Sequence, residues 1–342
     1  MWKYPIKNYQ AWTVKPEQFP YNGNLVDHIH FLLRYAILAP SSHNSQPWRF
    51  FVSANSLDIS FNEKRLLPVS DPLNRLAYIA LGCALQNIRI AADYFGLQMV
   101  CMYLPNGEIG SPAVHIQFST IGKGKKDVTH LIHAIPERRS NRMPYTPKPI
   151  PDLFLHKLRE LSFGQNNIFC TTTVEMRNHI ADVLMKARLT LFDHVPFRVE
   201  LAGYKRHNLT RLGTGMPGFT MGFPLLMSFV APWAVRKFNV IKLLQEKEER
   251  LLREQSPCFL IFGTKEDMPH HWVKSGECLQ KILLEAERAG IHSSISVFPR
   301  TSDALAVYRS VAPTGYSPHM FCRLGFSHER PRHSPRLLPE EL

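Results

Sequence analysis

The sequence lacks paired-cysteine motifs and has no apolar run long enough to cross a bilayer. Its six cysteines form no Cys-x-x-Cys pair, and most lie in apolar stretches. This pattern favours buried free thiols over a disulfide framework or a zinc site. The most apolar run, residues 223–235, contains two prolines and is too short to span a membrane. Residues 1–5 do not follow the signal-peptide pattern, so we expect a cytoplasmic protein. The short apolar run predicts no membrane partner, and the cysteine pattern predicts no metal site.

Acidic residues are fewer than basic residues, so the chain of 342 residues has a formal net charge of +13. Such a balance suits anionic partners, including phosphate groups, nucleic acid or an acidic membrane surface, and it is also compatible with a solvated cationic surface. The basic residues are dispersed and are not interleaved with aromatic residues. We therefore expect no nucleic-acid partner, although a solvated basic loop and a nucleic-acid backbone site remain alternative interpretations of the arginine-rich segment described below.

An internal repeat indicates how the chain is organised. GCALQNIRIAADYFGLQMVCMYLP, residues 82–105, aligns without a gap with GECLQKILLEAERAGIHSSISVFP, residues 276–299. Both copies predict a helix, a glycine stop and a strand. The sequence therefore predicts an α+β protein of two fused units, residues 1–135 and 136–342, with mixed sheets flanked by helices. A Gly-, Pro-, Met- and Phe-rich insertion at 203–239 has no counterpart in the first unit, and such segments are usually lids or mobile loops.

Periodicity and turn residues predict further elements of each unit. Helices are expected at 25–38, 152–161 and 174–194. Strands are expected at 48–53, 57–61, 99–104, 114–118, 258–262 and 320–326. The run of glycine and lysine at 122–126 is expected to form a loop.

Three segments carry side chains suited to binding an anionic or heteroaromatic group. Residues 40–50 read PSSHNSQPWRF, in which hydroxyls and amides follow a helix and precede a strand; an ordinary helix-to-strand turn would also favour Ser and Asn. Residues 136–145 read PERRSNRMPY, and arginine forks of this kind match phosphate oxygens. The basic tail at 331–341 is not distinctive by itself.

Taken together, these segments resemble the nitroreductase family of FMN-binding oxidoreductases. Residues 40–50 are similar to its Pro-Ser-Ser-x-Asn-x-Gln-Pro-Trp segment, residues 138–142 to its Arg-Arg-Ser-x-Arg segment, and the tail to its closing phosphate-binding stretch. The tandem arrangement resembles the Acg-type branch, in which the two halves of the usual homodimer are fused. The resemblance covers nearly the whole chain except the insertion.

The resemblance implies one FMN bound between the halves. Arg138 and Arg336 would hold its phosphate, with Arg332 as a weaker candidate, and Ser140 and Arg142 would face the pyrimidine edge of the flavin. Ser294 and Ser296 would lie near the flavin N5. The other half would complete the site with the residues Pro40, Ser41, Ser42 and Asn44.

The resemblance also implies an activity. The flavin would carry the redox chemistry between NAD(P)H and a small electron acceptor such as a nitro compound or quinone. No catalytic side chain is expected. The alternative is a protein that binds or stores FMN in an occluded site with little turnover. The chain is expected to be a monomer, formally a pseudo-dimer, or a homodimer of such chains.

The chain departs from the family pattern in complementary places. The first half has Lys-Pro-Glu-Gln-Phe at 15–19 where an Arg-Arg-Ser-x-Arg segment would precede its helix. The second half has Pro-Phe-Arg-Val-Glu at 196–200 where a Pro-Ser-Ser-x-Asn loop would follow its helix. Each half has lost one set of binding residues, so the sequence predicts a single complete site.

Overall fold

A computed structural model describes residues 7–103, 112–120, 129–161 and 166–342, and over these residues it confirms an α+β fold. The expected loop at 122–126 and the end of the first repeat, residues 104–105, lie outside the described residues. The α-helices are α1 Leu25–Ala36, α2 Arg75–Phe95, α3 Thr129–Ile132, α4 Ala134–Glu137, α5 Asp152–Glu160, α6 Val174–Asp193, α7 Val195–Tyr204, α8 Leu225–Lys237, α9 Val240–Leu243, α10 Gln245–Arg253, α11 Pro269–Arg288 and α12 Ser302–Val311. The strands are β1 Trp48–Ser53, β2 Ser56–Phe61, β3 Leu97–Tyr103, β4 Val114–Thr120, β5 Asn166–Thr171, β6 Lys205–Arg206, β7 Met216–Pro217, β8 Cys258–Thr264, β9 His292–Val297 and β10 Ser317–Gly325.

Two four-stranded sheets form the framework. The first has the order β1-β2-β4-β3 and the second the order β5-β8-β10-β9. All pairings within these two sheets are antiparallel. The expectation of mixed sheets was therefore wrong for both sheets, because the chain runs in opposite directions in each pair of neighbouring strands. The short β6–β7 pair is parallel.

The two repeat helices, α2 and α11, cross at a pair of matching glycines. A Cβ atom built on Gly82 would lie 1.9 Å from the carbonyl oxygen of Val273, and one built on Gly276 would lie 2.0 Å from that of Ile79. The two glycine Cα atoms thus face each other at the crossing, where any larger side chain would push the backbones apart. One apolar core runs across this contact and joins both sheets.

Local sequence explains the bounds of the helices that lead to the site. Asn24 caps α1 by accepting from the backbone N–H of Asp27, whose side chain accepts in return from the N–H of Asn24. Gly96 follows α2 with φ 75°, and Gly290, at the matching place in the second repeat, has φ 70°. The predicted glycine stops are therefore correct, since both residues adopt the left-handed conformation that ends a helix.

The insertion is more ordered than its composition indicated. Residues 225–237 form α8, and residues 216–221 form β7 and a short 3₁₀ helix. Residues 213–224 are held by backbone hydrogen bonds and by contacts with Asn44, so this part of the insertion has regular local structure. Where a serine- and asparagine-rich loop was sought after α6, the chain enters α7 at Val195–Tyr204. The boundary between units near residue 135 stays a prediction.

Candidate functional site

A tight turn between α1 and β1 supplies one wall of a cleft. Three of its residues that are not glycine have positive φ: His43 at 53°, Asn44 at 55° and Gln46 at 53°. Each such conformation costs about 1–3 kcal/mol and persists where surrounding contacts fix it. Here the backbone N–H of Gln46 donates to the Ser41 hydroxyl at 3.0 Å. Backbone strain concentrated in one short turn indicates that the geometry of this turn matters for function.

The amide side chains of this turn bind the distant parts of the chain that complete the cleft. Asn44 Nδ2 donates to the carbonyl of Gly215 at 3.0 Å and to that of Pro335 at 2.9 Å. Gln46 Nε2 donates to the carbonyl of Gly213 at 2.7 Å, and its Oε1 accepts from the N–H of Leu337. The turn therefore holds both the insertion and the carboxyl-terminal tail in place. Gln46, whose side chain bonds both the insertion and the tail, was not among the site residues expected from the sequence, although it lies inside the motif at 40–50.

The arginine-rich segment forms the opposite wall. It leaves α4 at Arg138 and then runs beside β9, where Ser140 pairs with Ser293 and the N–H of Asn141 donates to the Ser293 carbonyl at 2.7 Å. Asn141 is fully buried and its Nδ2 donates to the carbonyl of Glu329 at 2.6 Å. This asparagine anchors the segment, a role that no sequence pattern indicated.

The cleft gathers most of the residues expected from the sequence. The cavity volume of this cleft is about 40 Å³, and the empty space is about 440 Å³ when open solvent is included. Its lining residues are Trp12, Pro40, Ser41, Asn44, Arg138, Arg139, Ser140, Arg142, Met216, Arg332, Ser334 and Arg336. The two walls and the tail predicted to meet therefore do meet.

Three expected residues do not line this cleft. Ser42 lines a smaller neighbouring cavity of about 190 Å³, on the side of Arg65. Ser294 and Ser296 lie on β9, paired with Arg323 and Phe321 of β10. The strand to which they belong does touch the site, but through Ser293 beside Ser140.

Two arginines are buried in the cleft with N–H groups that have no partner. The exposed fractions of Arg138 and Arg336 are 2% and 3%. Arg138 Nη2 donates to the Leu38 carbonyl at 3.3 Å, while its Nε and Nη1 have no hydrogen-bond partner among the described residues. Arg336 Nη1 donates to Asn44 Oδ1 at 2.6 Å and its Nη2 to the Ala39 carbonyl at 3.2 Å, but its Nε has none. Buried donors without acceptors are costly, and here their chemistry suits an anionic ligand.

The charges of these arginines are also poorly compensated. Burial lowers the pKa of Arg138 to about 10, and burial followed by repulsion from Arg138 lowers the pKa of Arg336. Glu287, the main opposing charge for Arg138, is itself paired with Arg330. Two like charges in one dry cleft repel each other strongly, so a bound dianion would relieve both desolvation and repulsion.

A second group of cations lies along the same wall. Arg142 lines the cleft, and its guanidinium contributes to lowering the pKa of Lys205, which burial chiefly brings to about 7. Lys205 Nζ contacts Met221 Sδ at 2.8 Å. The insertion therefore places an amine beside Arg142, which the sequence had not indicated. This arrangement can accept a second negatively polarised edge.

Trp12 joins the tail to the cleft. Its ring stacks on His333 with centroids 4.0 Å apart, and the Arg336 guanidinium lies 4.8 Å from its centroid. Trp12 Nε1 donates to the Ser334 carbonyl at 2.8 Å. Trp12 was missed at the sequence level because it lies in no recognisable motif and acts through contacts more than 300 residues away.

The strained turn should make the chain sensitive to mild acid. Burial, then repulsion from Lys205 and Arg142, lowers the pKa of His43 to about 3 from an ordinary value of 6.5. The unfolded chain therefore binds a proton that the folded chain refuses, so stability is lost as pH falls from 6.5 towards 3. Asparagine tolerates positive φ at this position. The substitution His43→Asn should therefore reduce the loss in the free energy of unfolding by about 1.4 kcal/mol per pH unit.

Urea unfolding of the chain between pH 7.5 and 5 measures the effect. His319 and His333, whose pKa values burial also lowers to about 3, should maintain part of the slope in the variant. His30→Gln, which replaces an exposed histidine on α1, serves as the control and should keep the wild-type profile. An unchanged slope in His43→Asn would contradict the prediction.

Comparisons with known proteins give relatives over most of the chain. No protein-family model matches it. The Mycobacterium tuberculosis (strain ATCC 25618 / H37Rv) protein named "Putative NAD(P)H nitroreductase Rv3131" is 28% identical over 87% of the chain and 85% of its own length. "Putative NAD(P)H nitroreductase acg" from the same strain is 25% identical over 78% of each. "Uncharacterized protein Rv3127" is 24% identical over 86% of the chain and 87% of its own length.

Solved structures match only part of the chain. The FMN- and NADPH-dependent nitroreductase NfnB from "sphigopyxis sp. strain HMH" is 17% identical, covering 62% of this chain and 96% of its own, with a TM-score of 0.39. A nitroreductase with bound FMN from Bacteroides fragilis NCTC 9343 is 13% identical, covering 58% and 88%, with a TM-score of 0.37. At the sequence level, the chain is therefore similar over most of its length to proteins named putative NAD(P)H nitroreductases.

Proposed function

We propose that the chain is an FMN-dependent oxidoreductase, which transfers electrons from NAD(P)H to nitro compounds, quinones or similar small acceptors. The carrying observation is the pair of buried arginines, Arg138 and Arg336, whose unpartnered N–H groups share one cleft. A phosphate monoester is a dianion with several acceptor oxygens, so it satisfies the donors and the charge together. The names of the mycobacterial relatives support the NAD(P)H-linked class.

The residues present fit an FMN. The phosphate would lie between Arg138 and Arg336, with Arg332 at the edge of the cleft, where its guanidinium also lies 6.0 Å from the Phe219 ring. Ser140 and Arg142 would face the polar edge of the ring system, since both line the cleft. Pro40, Ser41 and Asn44 would close the other side.

The protein's part in the reaction is positioning and electrostatics. FMN, when bound, supplies the redox chemistry between a reduced nicotinamide and an acceptor. Arg142, with Lys205 behind it, would keep positive potential at the ring edge, which favours an electron-rich flavin. Met216 would limit the space for acceptors, and a lid role for the insertion stays a prediction. Ser294 and Ser296 receive no support from the cleft geometry and stay predictions as well.

A flavin-binding protein with little turnover is the second candidate. It is favoured by the contacts of Asn44 and Gln46 with the carbonyls of Gly215 and Gly213, because these hydrogen bonds hold the insertion across the cleft. Anaerobic titration with NADPH separates the two candidates. Rapid bleaching of the flavin absorbance supports the oxidoreductase, and a yellow protein that is not reduced supports the binding protein.

We expect one FMN per chain. The turn with Asn44 belongs to the first proposed half, and Arg138 and Arg142 belong to the second, so these residues complete one site. A symmetry-related site would need both sets again, but residues 15–19 carry no Arg-Arg-Ser-x-Arg segment and residues 196–200 lie in α7. Glu200 of α7 accepts from the N–H groups of Val69 and Ser70. This asymmetry fits two fused halves, 1–135 and 136–342, that have diverged.

Isothermal titration of the flavin-stripped chain with FMN tests this stoichiometry. A single tight site per chain is expected, and the purified protein should be yellow. Two tight sites would refute the loss of the second site while leaving flavin binding intact. A colourless chain that does not bind added FMN would refute the proposed function itself.

A further inference from the structure

Helix α8 presents an apolar face to solvent. The solvent-facing side of a surface helix is expected to carry charged residues. In α8 the exposed residues are instead large and hydrophobic: Leu225, Leu226, Met227, Phe229, Val230 and Trp233. The opposite face, with Ser228, Ala231 and Val235, is buried, and the helix packs against α7. The exposed fraction reaches 81% for Leu226 and 55% for Trp233. These side chains are therefore not part of the core of this chain.

The apolar face extends beyond the helix. The residues before and after it expose further large side chains, namely Leu209, Leu212, Phe238, Leu243 and Leu244. Single exposed apolar residues are ordinary, but a group of this size on neighbouring segments marks a surface that meets another apolar phase. We call residues 209–212 together with 225–244 the apolar face.

The same part of the chain contains no acidic residue. From residue 201 to residue 245 there is no Asp or Glu, whereas six residues are Lys or Arg. Of these, Arg211, Arg236 and Lys237 are exposed, and Arg236 and Lys237 end α8 beside Trp233. Lys242 is paired with Asp193 of α6. Positive charge therefore borders the apolar face, and no acidic residue within residues 201–245 neutralises it.

We propose that the apolar face attaches the chain to an anionic lipid surface, with α8 lying in the plane of the interface. Tryptophan, phenylalanine and leucine enter the boundary between headgroups and acyl chains, while arginine and lysine bind anionic headgroups. A second copy of the chain fits less well, because it would bring two acid-free basic surfaces together. This inference does not depend on the proposed oxidoreductase function.

Surface attachment does not require a spanning helix. Among the described residues, no helix is long and apolar enough to cross a membrane, and α8 has only 13 residues. The sequence-based expectation of no membrane partner rested on the lack of a spanning run. It did not consider a short helix whose apolar residues remain exposed after folding. The same segment leads from Met216 at the cleft to α8.

Co-sedimentation with vesicles tests the attachment. The full chain should bind phosphatidylglycerol-containing vesicles at low salt, bind pure phosphatidylcholine vesicles much more weakly, and dissociate as salt rises. The double variant Leu226→Ser with Trp233→Ser should lower the partition coefficient by at least about tenfold, because both side chains leave the acyl region. Arg236→Gln with Lys237→Gln should lower it by about tenfold or more for anionic vesicles only.

Leu153→Ser is the matched control, since Leu153 is 83% exposed but lies on α5. It should bind vesicles like the wild type, and all variants should keep the wild-type unfolding midpoint. Failure to bind any vesicle would overturn the proposal. Equal loss in Leu153→Ser would also overturn it. Light scattering that shows a dimer dissolved by Leu226→Ser with Trp233→Ser, without vesicle binding, would assign the apolar face to self-association instead.

Discussion

Arg138→Met should weaken FMN binding about ten- to hundredfold while leaving the flavin-free chain at least as stable as the wild type. Charge-assisted hydrogen bonds to a phosphate contribute about 1.5–3 kcal/mol, which corresponds to that range of affinity. The stability expectation follows from the flavin-free structure. There Arg138 makes one long bond, at 3.3 Å to the Leu38 carbonyl, and repels Arg336. Methionine fills similar space without charge, so the loss of this bond is offset by relief of desolvation and repulsion.

Riboflavin makes this experiment specific to the phosphate. It has the ring and sugar chain of FMN without the phosphate, so its affinity should be nearly equal for wild type and Arg138→Met. Arg309→Met, which replaces an exposed arginine on α12, is the control and should change neither affinity. Fluorescence titration gives both dissociation constants, and thermal unfolding gives the stability. If the variant is destabilised and binds FMN and riboflavin equally poorly, Arg138 holds the fold and does not hold the phosphate.

The site could be predicted from the sequence where binding residues are adjacent in the chain. The turn at 40–46 and the segment at 138–142 carry several suitable side chains within a few residues, and both line the cleft. The sequence could not provide the contacts that bring these segments together. Trp12, Met216 and Lys205 reach the site from remote segments whose local patterns are ordinary. Their roles follow from tertiary packing.

The same division holds for the fold. Strong periodicity and glycine stops correctly predicted α2 and α11, and β1 and β8 begin where expected. Sheet type was wrong because strand direction depends on which distant strands pair. Strand β5 was missed although it pairs along its length with β8. Helix α8 was missed because glycine and proline nearby suggested an irregular segment, whereas its buried face packs on α7 and stabilises it.

Gly82→Ala should destabilise the chain by at least about 3 kcal/mol, a large effect for one methyl group. The added Cβ would lie 1.9 Å from the Val273 carbonyl oxygen and 2.8 Å from its carbon, and both are backbone atoms that no rotamer change can move. The helices α2 and α11 must therefore separate, and the core that joins the two sheets must loosen with them. Urea unfolding at neutral pH measures the loss, and the thermal midpoint should fall by several degrees.

Gly203→Ala is the matched control, because Gly203 also lies in a helix but nothing lies within 4 Å of its added Cβ. There alanine should be neutral or stabilise the chain by about 0.5–1 kcal/mol through helix propensity. A small loss in Gly82→Ala, similar to the control, would show that the crossing is not tight.

The matching glycine should behave in the same way. A Cβ atom on Gly276 would lie 2.0 Å from the Ile79 carbonyl oxygen, and Ile79 precedes Gly82 by one helical turn as Val273 precedes Gly276. Gly276→Ala should therefore cost about as much as Gly82→Ala. Once one methyl group has separated the helices, the second finds the space already open, so the double variant should lose clearly less than the two single losses together. Additive losses would mean that α2 and α11 yield independently at this crossing. A subadditive result is expected if the two glycines share one contact between these helices.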